Sequence, residues 1–249
     1  MDVLEKDVEI ETNDGVCEAS LSHPVKGEYP AVIIWTDIGG LRPAFREMGK
    51  KLASQGYSVL IPNPFYRLSR LPTPEKDFDF KNPDHKSKGI EMMKTLYEEG
   101  GIENDTINFV KYLDEQKHVN PSKKMGVNGY CMGGFMMMRT VSALPERFGA
   151  GCSFHGGGLV IDGPKSPHHL IPKMKSNFHI AIACDDDEKE PHVKDALRET
   201  FNDAGLNANI KVYEDARHGW CVSDTPVFHA SQARVAWDTF STIFKKSLV

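Results

Sequence analysis

Five residues, Gly129-Tyr130-Cys131-Met132-Gly133, limit the fold of this chain more than any other stretch. They follow the apolar approach Met125-Gly126-Val127-Asn128 and precede a helix-like run over 134–144. The form G-x-nucleophile-x-G in that setting predicts a strand that turns sharply into a helix. A Cβ on a flanking glycine would crowd both the turn and the close crossing of helix on strand. Such a turn presents the Cys131 sulfur at the end of a sheet, above a helix N-terminus. The orphan N–H groups and the helix dipole there favour a thiolate. The blander reading of the same residues is a tight turn around a buried structural cysteine.

The rest of the chain supplies a sheet for that turn to stand on. Residues 8–12 and 16–21 alternate in strand fashion around Asn13-Asp14-Gly15, which predicts a hairpin. Pro30-Ala31-Val32-Ile33-Ile34-Trp35 is a continuous apolar run of the type found in buried parallel strands. A helix is predicted over 43–55 from the stripe Phe45, Met48, Leu52 and Ala53, and a short strand over 57–62. Residues 65–88 break into prolines, charges and isolated aromatics and read as a long, functional surface loop. Helices follow over 90–99 and 103–116, then strands over 124–128 and 150–155. Further strands fall at 178–184 and 210–213, with helices over 192–204 and 230–246. Strands alternating with helices predict one α/β domain over 1–249, with a mostly parallel sheet covered on both faces. A ligand site then belongs at the C-terminal ends of the strands.

Composition excludes several other classes. With 40% hydrophobic and 26% charged residues, the chain has enough apolar side chains for a large core and is not disordered. A net charge of −5 without basic runs gives no footprint for nucleic acid. The charged start Met1-Asp2-Val3-Leu4-Glu5 lacks the apolar core of a signal peptide, and no run is long enough to span a membrane. Five widely spaced cysteines without a C-x-x-C pair predict reduced thiols, a cytoplasmic setting and neither a disulfide scaffold nor a structural zinc.

A cysteine nucleophile needs a base within hydrogen-bonding reach and a group to orient that base. The chain order nucleophile, acid, histidine suits Asp187, beyond the strand at 178–184, and His218, beyond the strand ending at Tyr213. Among ten histidines, His218 is preferred because Arg217-His218-Gly219-Trp220 can hang over the sheet end. His155 is its rival, but it follows the strand directly after the nucleophile helix. Asp185, Asp186 and Asp187 are consecutive, so any of the three can be the acid; Asp187 is preferred for its D-x-x-x-P spacing to Pro191. His155-Gly156-Gly157-Gly158 lies downstream of the nucleophile and reads as a Gly-rich turn, not an oxyanion motif. That loop is expected instead at Thr36-Asp37-Ile38-Gly39-Gly40, where the N–H groups of Ile38 and Met132 would hold an oxyanion. Asp37 beside a thiol accepts its proton, holds it in an inactive rotamer, or simply caps its own loop or helix.

Together these residues resemble the dienelactone hydrolase (carboxymethylenebutenolidase) family of the α/β-hydrolase superfamily. The likeness runs from T-D-I-G-G through Pro62-Asn63-Pro64-Phe65-Tyr66-Arg67 and G-Y-C-M-G-G to Ala216-Arg217-His218-Gly219. It implies an α/β-hydrolase fold with an N-terminal antiparallel hairpin, and a triad of Cys131, Asp187 and His218. It also implies that Asp37, where well-known bacterial members carry glutamate, helps to activate the thiol. Arg67 matches an arginine that holds a substrate carboxylate in that family, with Tyr66 and Trp220 as further substrate-binding positions. The arginine expected just after the histidine is absent, because Gly219-Trp220-Cys221-Val222-Ser223-Asp224 contains none. The resemblance implies hydrolysis of small esters or lactones by a monomer or homodimer, without metal or organic cofactor. The alternatives are a broader carboxylesterase or thioesterase, an acyl transferase, and a noncatalytic ligand-binding member of the fold.

Overall fold

The predicted hairpin is present and longer than its alternation suggested. Strand β1 (Val3–Thr12) pairs antiparallel with β2 (Gly15–Pro24), with Thr12 opposite Gly15 across Asn13-Asp14. The computed structural model describes residues 1–68, 83–96 and 100–248. The second strand extends because it is paired on both edges, with β1 and with β4 (Ser58–Pro62). Strand β3 (Ala31–Trp35), helix α1 (Pro43–Ala53) and β4 form the first parallel crossover. The apolar runs at β3 and β4 are buried at every position, as strands covered on both faces must be.

The chain continues through α2 (Pro83–Leu96), α3 (Gly101–Asp114), β5 (Met125–Tyr130), α4 (Met132–Ala143) and β6 (Phe148–Phe154). A 3-10 turn at Pro167–Lys173 leads to β7 (Asn177–Ala183), α5 (Cys184–Lys189), α6 (His192–Asp203), β8 (Ala208–Tyr213) and α7 (Ala230–Ser247). Two readings change here. Part of the expected loop at 65–88 is helical, since α2 begins at Pro83, a position where the missing N–H of proline is harmless. Residues 69–82 of that loop, and 97–99 of the expected helix over 90–99, lie outside the described residues. The acidic run after β7 is helix α5, which the sequence did not suggest.

The sheet order is β1-β2-β4-β3-β5-β6-β7-β8, parallel from β4 onward. Helices α1 and α7 cover one face through Phe45, Leu52, Phe240 and Phe244. Helices α3, α4 and α6 cover the other through Phe109, Phe135, Met137 and Phe201. Each large apolar side chain so buried contributes about 1.5–3 kcal/mol. Among the described residues, no helix is long and apolar enough to cross a membrane.

This topology places the site. From β3 the chain goes first to β4 on one side and later to β5 on the other, so the strand order reverses there. The crevice above such a reversal is where open α/β sheets bind ligands. In register, Trp35 lies opposite Gly129, and Tyr130 lies opposite Phe154. The loops leaving β3, β5 and β6 therefore start side by side.

Candidate active site

Cys131 joins β5 to α4 with φ 54° and ψ −120°. A non-glycine residue in that region stores about 1–3 kcal/mol of strain, which persists only where the surroundings enforce it. The enforcement is visible. A Cβ at Gly129 would collide with the Gly133 carbonyl, and one at Gly133 would lie 2.5 Å from the Trp35 carbonyl oxygen. Helix α4 therefore packs its first turn directly on the backbone of β3. The Cys131 N–H donates to the Phe154 carbonyl at 3.1 Å and to His155 Nδ1 at 3.2 Å. The side chain remains partly exposed.

His218 stands next to it. Its ring hydrogen-bonds Asp186 Oδ2 through Nδ1 at 2.7 Å, and the Cys131 side chain is close enough to act on its charge. Burial opposes charge on this ring, yet Asp186 and Cys131 outweigh it and push the pKa up to about 10. His218 is thus set to hold a proton at neutral pH.

The three consecutive aspartates have three different partners. Asp185 accepts the His218 backbone N–H at 2.8 Å, Asp186 takes the ring, and Asp187 Oδ2 meets Lys194 Nζ of α6 at 2.5 Å. Successive side chains on a helix point about 100° apart, so α5 can turn only one of them to the imidazole. The structure seats Asp186 there in place of the expected Asp187.

Asp37 leaves β3 beside the elbow and is buried, but its oxygens are engaged elsewhere. Arg42 Nη1 and Nη2 reach its two carboxylate oxygens at 2.6 and 2.9 Å, and the Gly39 N–H donates to Oδ1 at 2.8 Å. Arg42 also grips Asp224, in the loop after His218, at 2.7 and 2.9 Å. Burial works against the Arg42 charge, and the two carboxylates more than restore it. The clasp ties the loop after β3 to the histidine loop. Sequence reasoning missed Arg42; its position directly before the helix-opening Pro43, two residues beyond the loop singled out at Thr36 to Gly40, was the available signal.

The three expected substrate-binding residues are engaged in contacts within the protein. Arg67 forms a bidentate pair with buried Asp105 at 2.8 Å and a second pair with Asp14 at 2.7 Å. Tyr66 is buried and donates its hydroxyl to Asp105 at 2.7 Å. Together they lock the hairpin turn to α3, so the Arg67 charge is already matched. Trp220 is fully buried, stacked on Tyr213 at 5.1 Å, and belongs to the core under α7. Met132 is the first residue of α4, with one of the N–H groups a helix leaves free, and Thr36, two residues before Ile38, lies against Gly133 of the elbow. Among the described residues, no group of three or more His, Cys, Asp or Glu side chains is placed to hold a metal ion.

The dienelactone hydrolase family model matches residues 17–248. The chain belongs to the dienelactone hydrolase family. Carboxymethylenebutenolidase from Rhodococcus opacus is 24% identical over 229 residues, covering 89% of this chain and 83% of the relative. That from Pseudomonas putida is 23% identical over 239 residues, covering 94% and 93%. A metagenomic dienelactone hydrolase-like promiscuous phosphotriesterase superposes with a TM-score of 0.77 at 16% identity, over 100% of both chains. That level of identity carries the fold and nothing finer. Family membership makes the chain a hydrolase with dienelactone hydrolase-like activity on ester or lactone bonds.

Proposed function

We propose that this family member hydrolyses small esters or lactones through a covalent thioester on Cys131. The observation that carries this reading is the His218 ring, hydrogen-bonded to Asp186 and raised in pKa by Asp186 and by the neighbouring Cys131 on its strained elbow. The Cys131 thiolate attacks the carbonyl carbon, and the developing oxyanion is met by the Ile38 and Met132 N–H groups, a contribution of ~3 kcal/mol per donor. The tetrahedral adduct collapses as the C–O bond breaks, and the His218 imidazolium gives its proton to the departing alkoxide. In a lactone that oxygen stays tethered to the acyl group. Neutral His218 then takes a proton from water as the hydroxide attacks the thioester. The carboxylic acid leaves and gives its proton to solvent, and the thiolate–imidazolium pair is restored.

A preference for substrates carrying a carboxylate has a narrower basis. Arg67 and Arg42 are each paired with two carboxylates, and Arg42, tied to the loop that leaves β3 beside the elbow, is the candidate for holding such a group. A substrate carboxylate would displace the half-exposed Asp224 from the outer side of its guanidinium.

Two measurements test the proposal. Cys131→Ala should abolish hydrolysis of p-nitrophenyl acetate, and full retained activity would rule out the nucleophile. A matched pair of neutral and carboxylate-bearing aryl esters should show a lower KM for the anionic one. That difference should disappear in Arg42→Gln; an unchanged difference would remove Arg42 from substrate selection.

A further inference from the structure

We infer that His155 is a positioning residue for the nucleophile: its Nδ1, together with the Phe154 carbonyl, fixes the Cys131 amide beneath His218. The inference rests on the reading of Cys131 as nucleophile. His155 touches the backbone of that residue and is not assigned contact with substrate.

Four observations converge on it. First, Cys131 and His155 are the two non-glycine residues with positive φ among the described residues, at 54° and 41°. The strained elbow thus leans on a second strained residue. Second, the segment 154–157 grips Cys131 on both sides of its α-carbon. The Cys131 N–H donates to Phe154 O and His155 Nδ1, while its carbonyl accepts the N–H groups of Gly134 at 3.0 Å and Gly157 at 3.1 Å. Third, the His155 ring is 1% exposed, and its centroid lies 4.9 Å from that of His218 and 5.2 Å from that of Trp220. It forms the wall behind the catalytic imidazole.

Fourth, the polar chemistry of the ring is otherwise unused. Accepting the Cys131 N–H requires a lone pair on Nδ1, which puts the proton on Nε2. Among the described residues that buried Nε2 has no hydrogen-bond partner. A ring present only to fill space would avoid this cost as phenylalanine. The nitrogen that has a partner is the one facing the nucleophile. Burial, reinforced by the nearby His218, holds the His155 pKa well below the ordinary histidine value. The ring therefore stays neutral, and Nδ1 stays an acceptor, while His218 is charged.

The test compares His155→Phe, which keeps a ring without an acceptor, with His155→Asn. Asparagine sets a carbonyl oxygen close to the position of Nδ1 and tolerates positive φ. Hydrolysis of p-nitrophenyl acetate, the iodoacetamide reaction rate at Cys131 and the melting temperature are measured for each. The expected result for Phe is kcat lowered about tenfold or more with KM changed less than about twofold. Alkylation of Cys131 should slow in step, and Asn should recover kcat to within about threefold of the unmodified protein. Wild-type kcat in the Phe variant, or equal losses in Phe and Asn that track the melting temperature, would overturn the inference. Should the Phe variant not fold, the ring 15N shifts of the unmodified protein decide: Nδ1 must be unprotonated and Nε2 protonated at neutral pH, and the reverse tautomer refutes it. If instead the unmodified protein shows no enhanced labelling at Cys131 and Cys131→Ala stays active, the nucleophile reading itself has failed.

Discussion

Asp186 Oδ2 lies 2.7 Å from His218 Nδ1, while Asp187, one residue on, meets Lys194 Nζ at 2.5 Å. The carboxylate that meets the imidazole is therefore the middle one of the run. Asp186→Asn should lower kcat/KM for an aryl ester by about 100-fold or more, because the amide cannot hold the imidazole in its working tautomer or stabilise its charge. Asp187→Asn should change kcat/KM less than about threefold. Steady-state kinetics on the two variants separates them, and the reverse ranking would return the role to Asp187.

Arg42 bridges Asp37 and Asp224, and the two halves of the bridge differ in exposure, with side chains 11% and 43% exposed. A double-mutant cycle by urea unfolding should give Asp37–Arg42 a coupling of about 2 kcal/mol, since either single change strands a buried partner. The Arg42–Asp224 coupling should be below about 1 kcal/mol, as expected where water competes. Equal couplings would mean the clasp is a surface feature.

Stability should carry the signature of His218. Its folded pKa, about 10, lies above the ordinary value of 6.5. The folded state therefore binds this proton more tightly than the unfolded chain does. Its contribution is complete below pH 6.5 and is lost as pH rises towards about 10. Melting temperatures from pH 6 to pH 10 should fall by a few °C more in the unmodified protein than in His218→Asn. Parallel curves would show that the ring is not charged in the folded protein.

Two glycines near the site should respond oppositely to a methyl group. Gly133→Ala places a Cβ 2.5 Å from the Trp35 carbonyl oxygen, whereas Gly157→Ala meets nothing within 4 Å. The first should cost about 3 kcal/mol or more, or prevent folding, and the second less than about 0.5 kcal/mol in urea unfolding.

The parts of this molecule readable from its sequence are those governed by local pattern. The all-apolar runs at β3 and β4, the Asn13-Asp14-Gly15 turn and the glycine-flanked elbow each have one physical solution. What stayed hidden depended on side chains far apart in the chain. Nothing near Arg67 shows that Asp14 and Asp105 will neutralise it. Nothing near Asp37 shows that Arg42 will also reach Asp224, 182 residues away. Trp220 beside His218 looked available to a substrate, but it fills the core against Tyr213. The acidic run could not be resolved without knowing that it is helical, because the helix decides which carboxylate faces His218. His155 was legible as a turn residue, but its contact with the Cys131 amide appears only once β5 and β6 are in register.

The most direct test of the account is to quench turnover of an activated aryl ester in acid and locate the acyl group by peptide mass spectrometry. The account predicts one acyl mass on the peptide containing Cys131, lost on mild hydroxylamine treatment and absent in Cys131→Ala. Turnover with no adduct on Cys131, or with the acyl group on another residue, would contradict it.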